Sequence, residues 1–141
     1  MPLVYTPHNY SHIQMEWQLP EMQPWFEGLA QKWTLVRYDK RGYGLSERNV
    51  SEFSLETLVL DLEAVVKRLG LERFVLWGSG SSGPGAIAYA VRHAERVSHL
   101  FLWHTSPRPI DISSRRPRAA RSLIDEDWKL FLKLGPSSTS G

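Results

Sequence analysis

The sequence has no cysteine among its 141 residues. Disulfides and thiolate metal sites are therefore excluded, and the absence fits a reducing compartment. No apolar run approaches the ~20 residues that a helix needs to span a bilayer. The first residues also lack the basic segment and apolar core of a secretory signal. We therefore expect a soluble, cytoplasmic protein without a membrane partner.

An excess of charge of one sign is also missing. Lysine and arginine total 17 against 15 acidic residues, which leaves a net charge of +2. One segment is nonetheless dense in arginine, at Arg108, Arg115, Arg116, Arg118 and Arg121. It has no interleaved aromatic side chains on which bases would stack. We therefore predict a solvated segment and no nucleic-acid partner.

What the chain does contain is an alternation of short apolar runs with segments of helical period. The predicted strands are Leu3–Thr6, Thr34–Asp39, Phe74–Gly78 and His99–His104. The predicted helices between them are about Pro24–Lys32, Leu55–Leu69 and Ser82–Arg92. This alternation is typical of βαβ units, whose strands are parallel and are covered on both faces. We therefore expect an α/β fold, a three-layer αβα sandwich with strands ordered second, first, third, fourth.

The chain after the fourth strand has a different character. We predict one core domain over residues 1–106, followed by a region over 107–134 that begins rich in proline, serine and arginine. A short helix is expected within that region, at Asp125–Leu134. Residues 135–141 have low complexity and are expected to form a flexible tail.

The stretch "FVLWGSGSSGPGAIAYA", Phe74 to Ala90, joins an apolar strand to an alanine-rich helix through small residues. Such a turn presents a nucleophilic serine when it has the spacing Gly-x-Ser-x-Gly. Read from Gly78 without a gap, the nucleophile position falls on Gly80. A slip of one residue selects Ser81 instead, with small residues two positions away on both sides. Both alignments remain open, and in the first the serines of the turn would cap the helix start.

A binding site is expected where the winding of the sheet reverses, beyond the carboxyl ends of the first and third strands. The predicted pocket residues there are His8, Gly78, Ser79, Gly80 and His104. Backbone N–H groups of Asn9 and Ser82 are predicted to form an oxyanion hole. For His104 a structural role at the strand end is favoured over that of a general base. No metal site or nucleotide cofactor is indicated. The stretch "GSGSSG" resembles a phosphate loop only in glycine content and lacks the Gly-Lys-Ser/Thr end.

Several phrases, running from Leu3 to about Leu132, resemble the N-terminal half of an α/β-hydrolase core. They are "HIQMEW", "LVRYDKRGYGLSER", "SLETLVLDLEAVVKRLGLERFVLWG", "GPGAIAYAVRHAERVSHLFLW" and "DWKLF". The resemblance is to the bacterial subgroup that often accompanies cyclase or transcription-regulator domains. It implies a serine esterase or amidase acting on a small acyl substrate, with residues 107–134 as the start of a lid. In the loop after the second strand, structural roles are predicted for Asp39 and Arg41, which tie the loop down, while Gly42 and Gly44 supply the backbone freedom of a tight turn.

The chain departs from the family where the catalytic acid and histidine would follow later strands, because it stops before either. A serine hydroxyl is a weak nucleophile without an adjacent base, so we expect this chain alone to be inactive. Three interpretations remain open: an incomplete esterase or amidase with Ser81 as nucleophile, a non-catalytic ligand-binding or regulatory module, and a truncated inactive product. The open sheet edge beyond the fourth strand predicts self-association.

Overall fold

A computed structural model describes residues 1–8 and 11–107 of the chain. Its strands are β1 (Pro2–Tyr5), β2 (Thr34–Arg37), β3 (Phe74–Ser79) and β4 (Val97–Trp103). Its α-helices are α1 (Ile13–Gln18), α2 (Gln23–Lys32), α3 (Leu55–Arg68) and α4 (Gly83–Arg92), and a 3₁₀ turn covers Gly80–Ser82. The predicted helix at Asp125–Leu134, the tail over 135–141 and Asn9 lie outside the described residues.

The four strands form one parallel sheet in the order β2-β1-β3-β4. In β1, Val4 pairs with Val36 of β2 on one side and with Leu76 of β3 on the other. The predicted strand order and the parallel pairing are therefore confirmed. The winding reverses between β1 and β3, and this reversal fixes where a ligand-binding crevice belongs in such a sheet.

Helices cover both faces of the sheet, as predicted. Alternate residues of a strand point to opposite faces, and the core divides accordingly into two clusters. One contains Leu3, Tyr5 and Val75 with Phe26 of α2. The other contains Val4, Phe74 and Leu76 with Val59, Leu62 and Val66 of α3 and Ala86 and Tyr89 of α4.

Helix α3 follows from local sequence signals. The Ser54 hydroxyl accepts a hydrogen bond from the Thr57 N–H at 3.2 Å, and the Thr57 hydroxyl accepts one from the Ser54 N–H at 2.9 Å. This reciprocal capping box satisfies two backbone donors that the first turn leaves unpaired. Gly70, at φ +60°, then turns the chain away from the helix. The helix ends at Arg68, one residue before the predicted end.

The stretch between His12 and Leu19 is helical, which the sequence patterns do not predict. It contains α1, a helix of 6 residues whose N-cap is His12, with Nδ1 accepting from the Met15 N–H at 3.4 Å. The helix buries Glu16, which forms an ion pair with Arg37. A helix this short gives almost no periodic signal, and histidine is not among the preferred N-cap residues.

Strand β4 begins two residues before the predicted start and ends one residue before the predicted end. Its apolar side chains are unusually accessible, with Phe101 47%, Leu102 47% and Trp103 56% exposed. Within the described part of the chain, β4 pairs with β3 alone, so its outer edge has no strand partner there. Among the helices described, none combines the length and apolar content needed to cross a membrane.

Candidate functional site

Four chain segments leave the carboxyl edge of the sheet close to the point of reversal. The segment after β1 carries His8, and the segment after β2 carries Lys40. The segment after β3 is the turn Gly80–Ser82, and the segment after β4 begins with His104 and Thr105. This edge therefore gathers most of the side chains that the sequence marks as candidates.

The turn after β3 has the backbone of a sharp strand-to-helix bend. Gly80 has φ +50°, in the left-handed region that favours glycine. Its carbonyl accepts a hydrogen bond from the Thr105 hydroxyl at 2.6 Å. The N–H of Ser79, one residue earlier, donates to the Thr6 hydroxyl at 3.2 Å. Threonines that follow the two neighbouring strands thus hold the turn from both sides.

Close packing around the turn explains its small residues. A Cβ on Gly78 would lie 2.9 Å from Ala86 Cβ and 2.9 Å from Leu102 Cδ2. A Cβ on Gly83 would lie 1.9 Å from Thr105 Oγ1. Contacts this short would require the surroundings to move. The strand β3, the helix α4 and the segment after β4 therefore pack too closely here to accept a side chain at either glycine.

The three serines of the turn differ in access and in partners. Ser79 and Ser82 are buried, at 3% and 4% exposure, whereas Ser81 is half-buried. Ser81 Oγ accepts a hydrogen bond from Lys40 Nζ at 3.0 Å. Neither Ser79 nor Ser82 caps the following helical turn with its side chain. The capping role considered for these two serines is therefore wrong.

Lys40 is a site residue that the sequence analysis missed. It is only 8% exposed, and its Nζ lies 4.4 Å from the centre of the Tyr43 ring. Burial lowers the pKa of the Lys40 ammonium. Lys40 follows β2 and Ser81 follows β3, and β1 lies between those strands. The available signal was a lysine at the same sheet edge as the serines, inside a loop interpreted as wholly structural.

The rest of that loop has the structural role predicted for it. The Asp39 carboxylate accepts hydrogen bonds from the N–H of Ile13 at 3.1 Å and from the N–H of Leu45 at 3.0 Å. The Ser46 hydroxyl donates to the Asp39 carbonyl. Gly44 has φ +51°, and a Cβ there would lie 2.1 Å from the Asp39 carboxylate. Asp39 is thus an anchor for the loop.

The predicted pocket histidines are placed as follows. His8 is half-buried, and its Nε2 lies 3.5 Å from Glu16 Oε1. His104 is exposed, with φ +49°, and has no hydrogen bond or ion pair to another residue of the described part. The predicted oxyanion residue Ser82 immediately precedes α4.

Two surface grooves lie away from the turn. One, of about 560 Å³, is lined by Leu71, Tyr89 and His93 and therefore lies at the amino ends of the strands. The other, of about 590 Å³, lies beside the Asp39 loop and α3. Residues 1–8 and 11–107 contain no group of three side chains able to hold a metal ion.

Known proteins similar to this chain include several hydrolases. Epoxide hydrolase 3 of Xenopus tropicalis is 28% identical over 110 residues, which are 77% of this chain and 28% of that protein. Proline iminopeptidase PfmaB of Pestalotiopsis fici is 35% identical over 85 residues, 58% of this chain and 30% of that protein. The chain therefore spans less than a third of either relative.

The fold has a counterpart among solved structures. A marine microorganism esterase superposes with a TM-score of 0.71 at 19% identity, over 88% of this chain and 45% of that protein. At this identity the likeness shows the fold alone. The model of the α/β hydrolase fold family matches residues 11–123. The parallel sheet, the strand-to-helix turn and this match agree, and the chain is therefore a member of the α/β hydrolase fold family.

Proposed function

We propose that the chain carries the nucleophile of a serine hydrolase that cleaves ester or amide bonds of small acyl substrates, and that the nucleophile is Ser81. The observation that carries the proposal is the contact of the Ser81 hydroxyl with the buried Lys40 amine at 3.0 Å. Ser81 is also the accessible serine of the turn, since Ser79 and Ser82 are buried. Gly80, at the position of the ungapped alignment, supplies backbone freedom and no side chain.

The reaction proposed is acyl transfer in two steps. Ser81 Oγ attacks the carbonyl carbon, the bond to the alcohol or amine breaks, and an acyl ester of Ser81 remains until water hydrolyses it. The developing oxyanion would be held by the N–H groups of Ser82 and Asn9. The position of Ser82 at the start of α4 supports this role, because a helix N-terminus favours negative charge.

The named relatives support a catalytic rather than a purely ligand-binding role. One is called an epoxide hydrolase and one an iminopeptidase. The non-catalytic interpretation is therefore not favoured. We further propose that the protein is cytoplasmic and that it belongs to the bacterial subgroup that often accompanies cyclase or transcription-regulator domains.

The experiment is covalent labelling of the full chain with an alkyl fluorophosphonate, followed by mass spectrometry of the peptide that contains the turn. We expect one phosphonyl group per chain, on Ser81, and its loss in Ser81→Ala. Ser79→Ala and Ser82→Ala are the matched controls and should keep the label. Absence of label from the turn over pH 6–10 would show that Ser81 is not a nucleophile and would reject the proposed function.

We also propose that copies of this chain associate through the open side of β4. The exposed apolar side chains of Phe101, Leu102 and Trp103 lie along that strand. An edge strand with unpaired N–H and C=O groups is a template for pairing with another chain. Light scattering during size-exclusion chromatography should give a dimer or a larger species. A monodisperse monomer at every accessible concentration would contradict this proposal.

A further inference from the structure

The Lys40 amine is a buried cation without a counter-charge in the described structure. The residue is 8% exposed, and taking a charged group out of water is unfavourable unless an opposite charge pairs with it. None of the ion pairs among residues 1–8 and 11–107 includes Lys40. Its contacts there are the Ser81 hydroxyl at 3.0 Å and the Tyr43 ring at 4.4 Å. A negatively charged ligand would neutralise this amine.

The carboxylates beside the Lys40 loop are engaged by other donors. The Asp39 carboxylate accepts hydrogen bonds from backbone N–H groups of its own loop and of α1. The Asp61 carboxylate of α3 accepts two hydrogen bonds from the Arg41 guanidinium, at 2.7 Å and 2.9 Å. Neither aspartate therefore serves as the counter-charge of Lys40.

The start of α4 adds a second positive feature beside the Lys40 amine. Ser81, which contacts that amine, lies in the turn directly before this helix of 10 residues, and the amino end of a helix carries a partial positive charge. The next residue, Ser82, is 4% exposed, and its hydroxyl has no hydrogen-bond partner in the described part of the chain. Ser81 and Tyr43 are only half-buried, so the amine lies next to groups that solvent reaches. The ammonium and the helix end together favour a bound anion.

We propose that Lys40 and the amino end of α4 bind the carboxylate of a substrate whose scissile ester or amide bond lies a few carbons away. This inference rests on the proposed function and adds the class of substrate to it. A single ammonium matches the one negative charge of a carboxylate better than the charge near −2 of a phosphate monoester. The substrates are therefore half-esters or half-amides of short dicarboxylic acids.

The distance between the cation and the proposed nucleophile limits the length of the acid. A carboxylate oxygen bonded to an ammonium lies about 2.8 Å from its nitrogen, and Lys40 Nζ lies 3.0 Å from Ser81 Oγ. The carboxylate oxygen is thus within about 6 Å of Ser81 Oγ. The scissile carbonyl carbon has to lie about 3–3.5 Å from the same Oγ before attack. Malonyl and succinyl groups are short enough to meet both requirements.

The test uses the full chain and monomethyl succinate, which carries one carboxylate and one ester, with dimethyl succinate as the neutral control. Binding is followed by the backbone N–H signal of Ser82 in ¹H–¹⁵N spectra and by the Lys40 signal in chain labelled with ¹³C at lysine Cε. We expect saturable shifts of both signals with monomethyl succinate and weaker binding of inorganic phosphate. Equal binding of the neutral diester, or tighter binding of phosphate, would overturn the inference.

Substitutions separate the charge of Lys40 from its shape. Lys40→Met removes the charge and keeps an apolar stem of similar length, so it should weaken the binding of monomethyl succinate about tenfold or more, as expected for loss of a charged hydrogen bond. Lys40→Arg keeps the charge and should retain most of the affinity. Lys67→Met, at an exposed lysine of α3, is the matched control and should bind as wild type does. Equal affinities of wild type and folded Lys40→Met would overturn the inference.

The titration of Lys40 itself needs no variant and stands if substitutions at this position prevent folding. Burial lowers the pKa of the Lys40 ammonium in the free chain. A bound carboxylate favours the charged form, so the pKa of Lys40 should rise when monomethyl succinate saturates the chain. The ¹³C signal of Lys40 Cε gives this pKa with and without ligand. A pKa of Lys40 that does not change at saturation would show that the ligand binds elsewhere and would overturn the inference.

The outcomes distinguish this inference from the proposed function. Saturating monomethyl succinate should slow the labelling of Ser81 by the fluorophosphonate, because both reagents occupy the same site. If Ser81 is labelled and binding that depends on Lys40 is absent, the inference is overturned and the proposed nucleophile stands. If binding depends on Lys40 and Ser81 takes no label, the proposed function is rejected and Lys40 remains a carboxylate-binding residue.

Discussion

Two loops leave the same edge of the sheet, and they are held in different ways. The loop Asp39–Ser46 after β2 is fixed largely from within, because Asp39 binds the N–H of Leu45 and the hydroxyl of Ser46. The turn after β3 is fixed from outside, by Thr6, Thr105 and Lys40. The first loop is a support, and the second is a site whose shape depends on three other segments.

The sequence separations express the same contrast. Two of the three partners of Asp39 are local, since Leu45 and Ser46 lie 6 and 7 residues from it, whereas Ile13 lies 26 residues away. The contacts that hold the turn join residues 25, 41 and 73 positions apart. Short-range contacts leave a recognisable motif in the sequence, and long-range ones do not.

The largest effect on stability is expected from Asp39→Ala in the loop after β2. The substitution leaves the N–H groups of Ile13 and Leu45 without their acceptor, and an unsatisfied buried donor costs about 1–3 kcal/mol. We expect the free energy of unfolding to fall by about 2–4 kcal/mol in urea denaturation. Asp39→Asn keeps one carbonyl acceptor and should lose roughly half as much. A change below about 0.5 kcal/mol in Asp39→Ala would show that the loop does not depend on this carboxylate.

The next effect concerns the turn that is held from outside. In Gly83→Ala the new Cβ would meet Thr105 Oγ1 at 1.9 Å, and such overpacking costs about 1–3 kcal/mol. Gly28→Ala, in α2, is the control, because a Cβ there meets nothing within 4 Å. That substitution should stabilise the chain by up to about 1 kcal/mol, from helix propensity. Equal melting temperatures for the two variants would contradict the packing described for the turn.

The strands and the Asp39 loop could be predicted because each depends on local patterns: apolar runs, helical periods and glycines near an aspartate. The strand order followed from the rules for connections between parallel strands. The alignment of the turn could not be fixed, because Gly80 and Ser81 differ by one position and the local residues are all small. Helix α1 was missed because 6 residues give no period. The Lys40–Ser81 contact was missed because it forms across the end of β1, between loops of two strands that are not neighbours.

The dependence of stability on pH tests the burial of the Lys40 amine. Because burial lowers the pKa of Lys40, the unfolded chain binds a proton that the folded chain lacks between the folded pKa and about 10.4. Stability rises with pH wherever the unfolded state binds more protons. The unfolding free energy of wild type minus that of Lys40→Met should therefore increase as pH rises through this window towards pH 10. Lys67→Met, at an exposed lysine of α3, is the control and gives the pH dependence of stability expected from loss of an exposed charge. If the unfolding free energies of wild type and Lys40→Met differ by an amount that varies with pH no more steeply than in this control, the prediction is contradicted.

The smallest effect is expected at His104, which follows β4 and borders the turn. Its φ of +49° is unfavourable for a residue with a side chain, by roughly 1 kcal/mol. Glycine relieves that strain but increases the entropy of the unfolded chain, so His104→Gly should gain only about 0.5 kcal/mol. His99→Gly, inside β4 at an exposed position, should instead lose about 0.5–1 kcal/mol. Thermal unfolding of both variants gives the sign of each change in stability. Fluorophosphonate labelling of Ser81 at the wild-type rate in His104→Gly would show that His104 is not a general base, whereas a large loss of labelling rate would assign it that role.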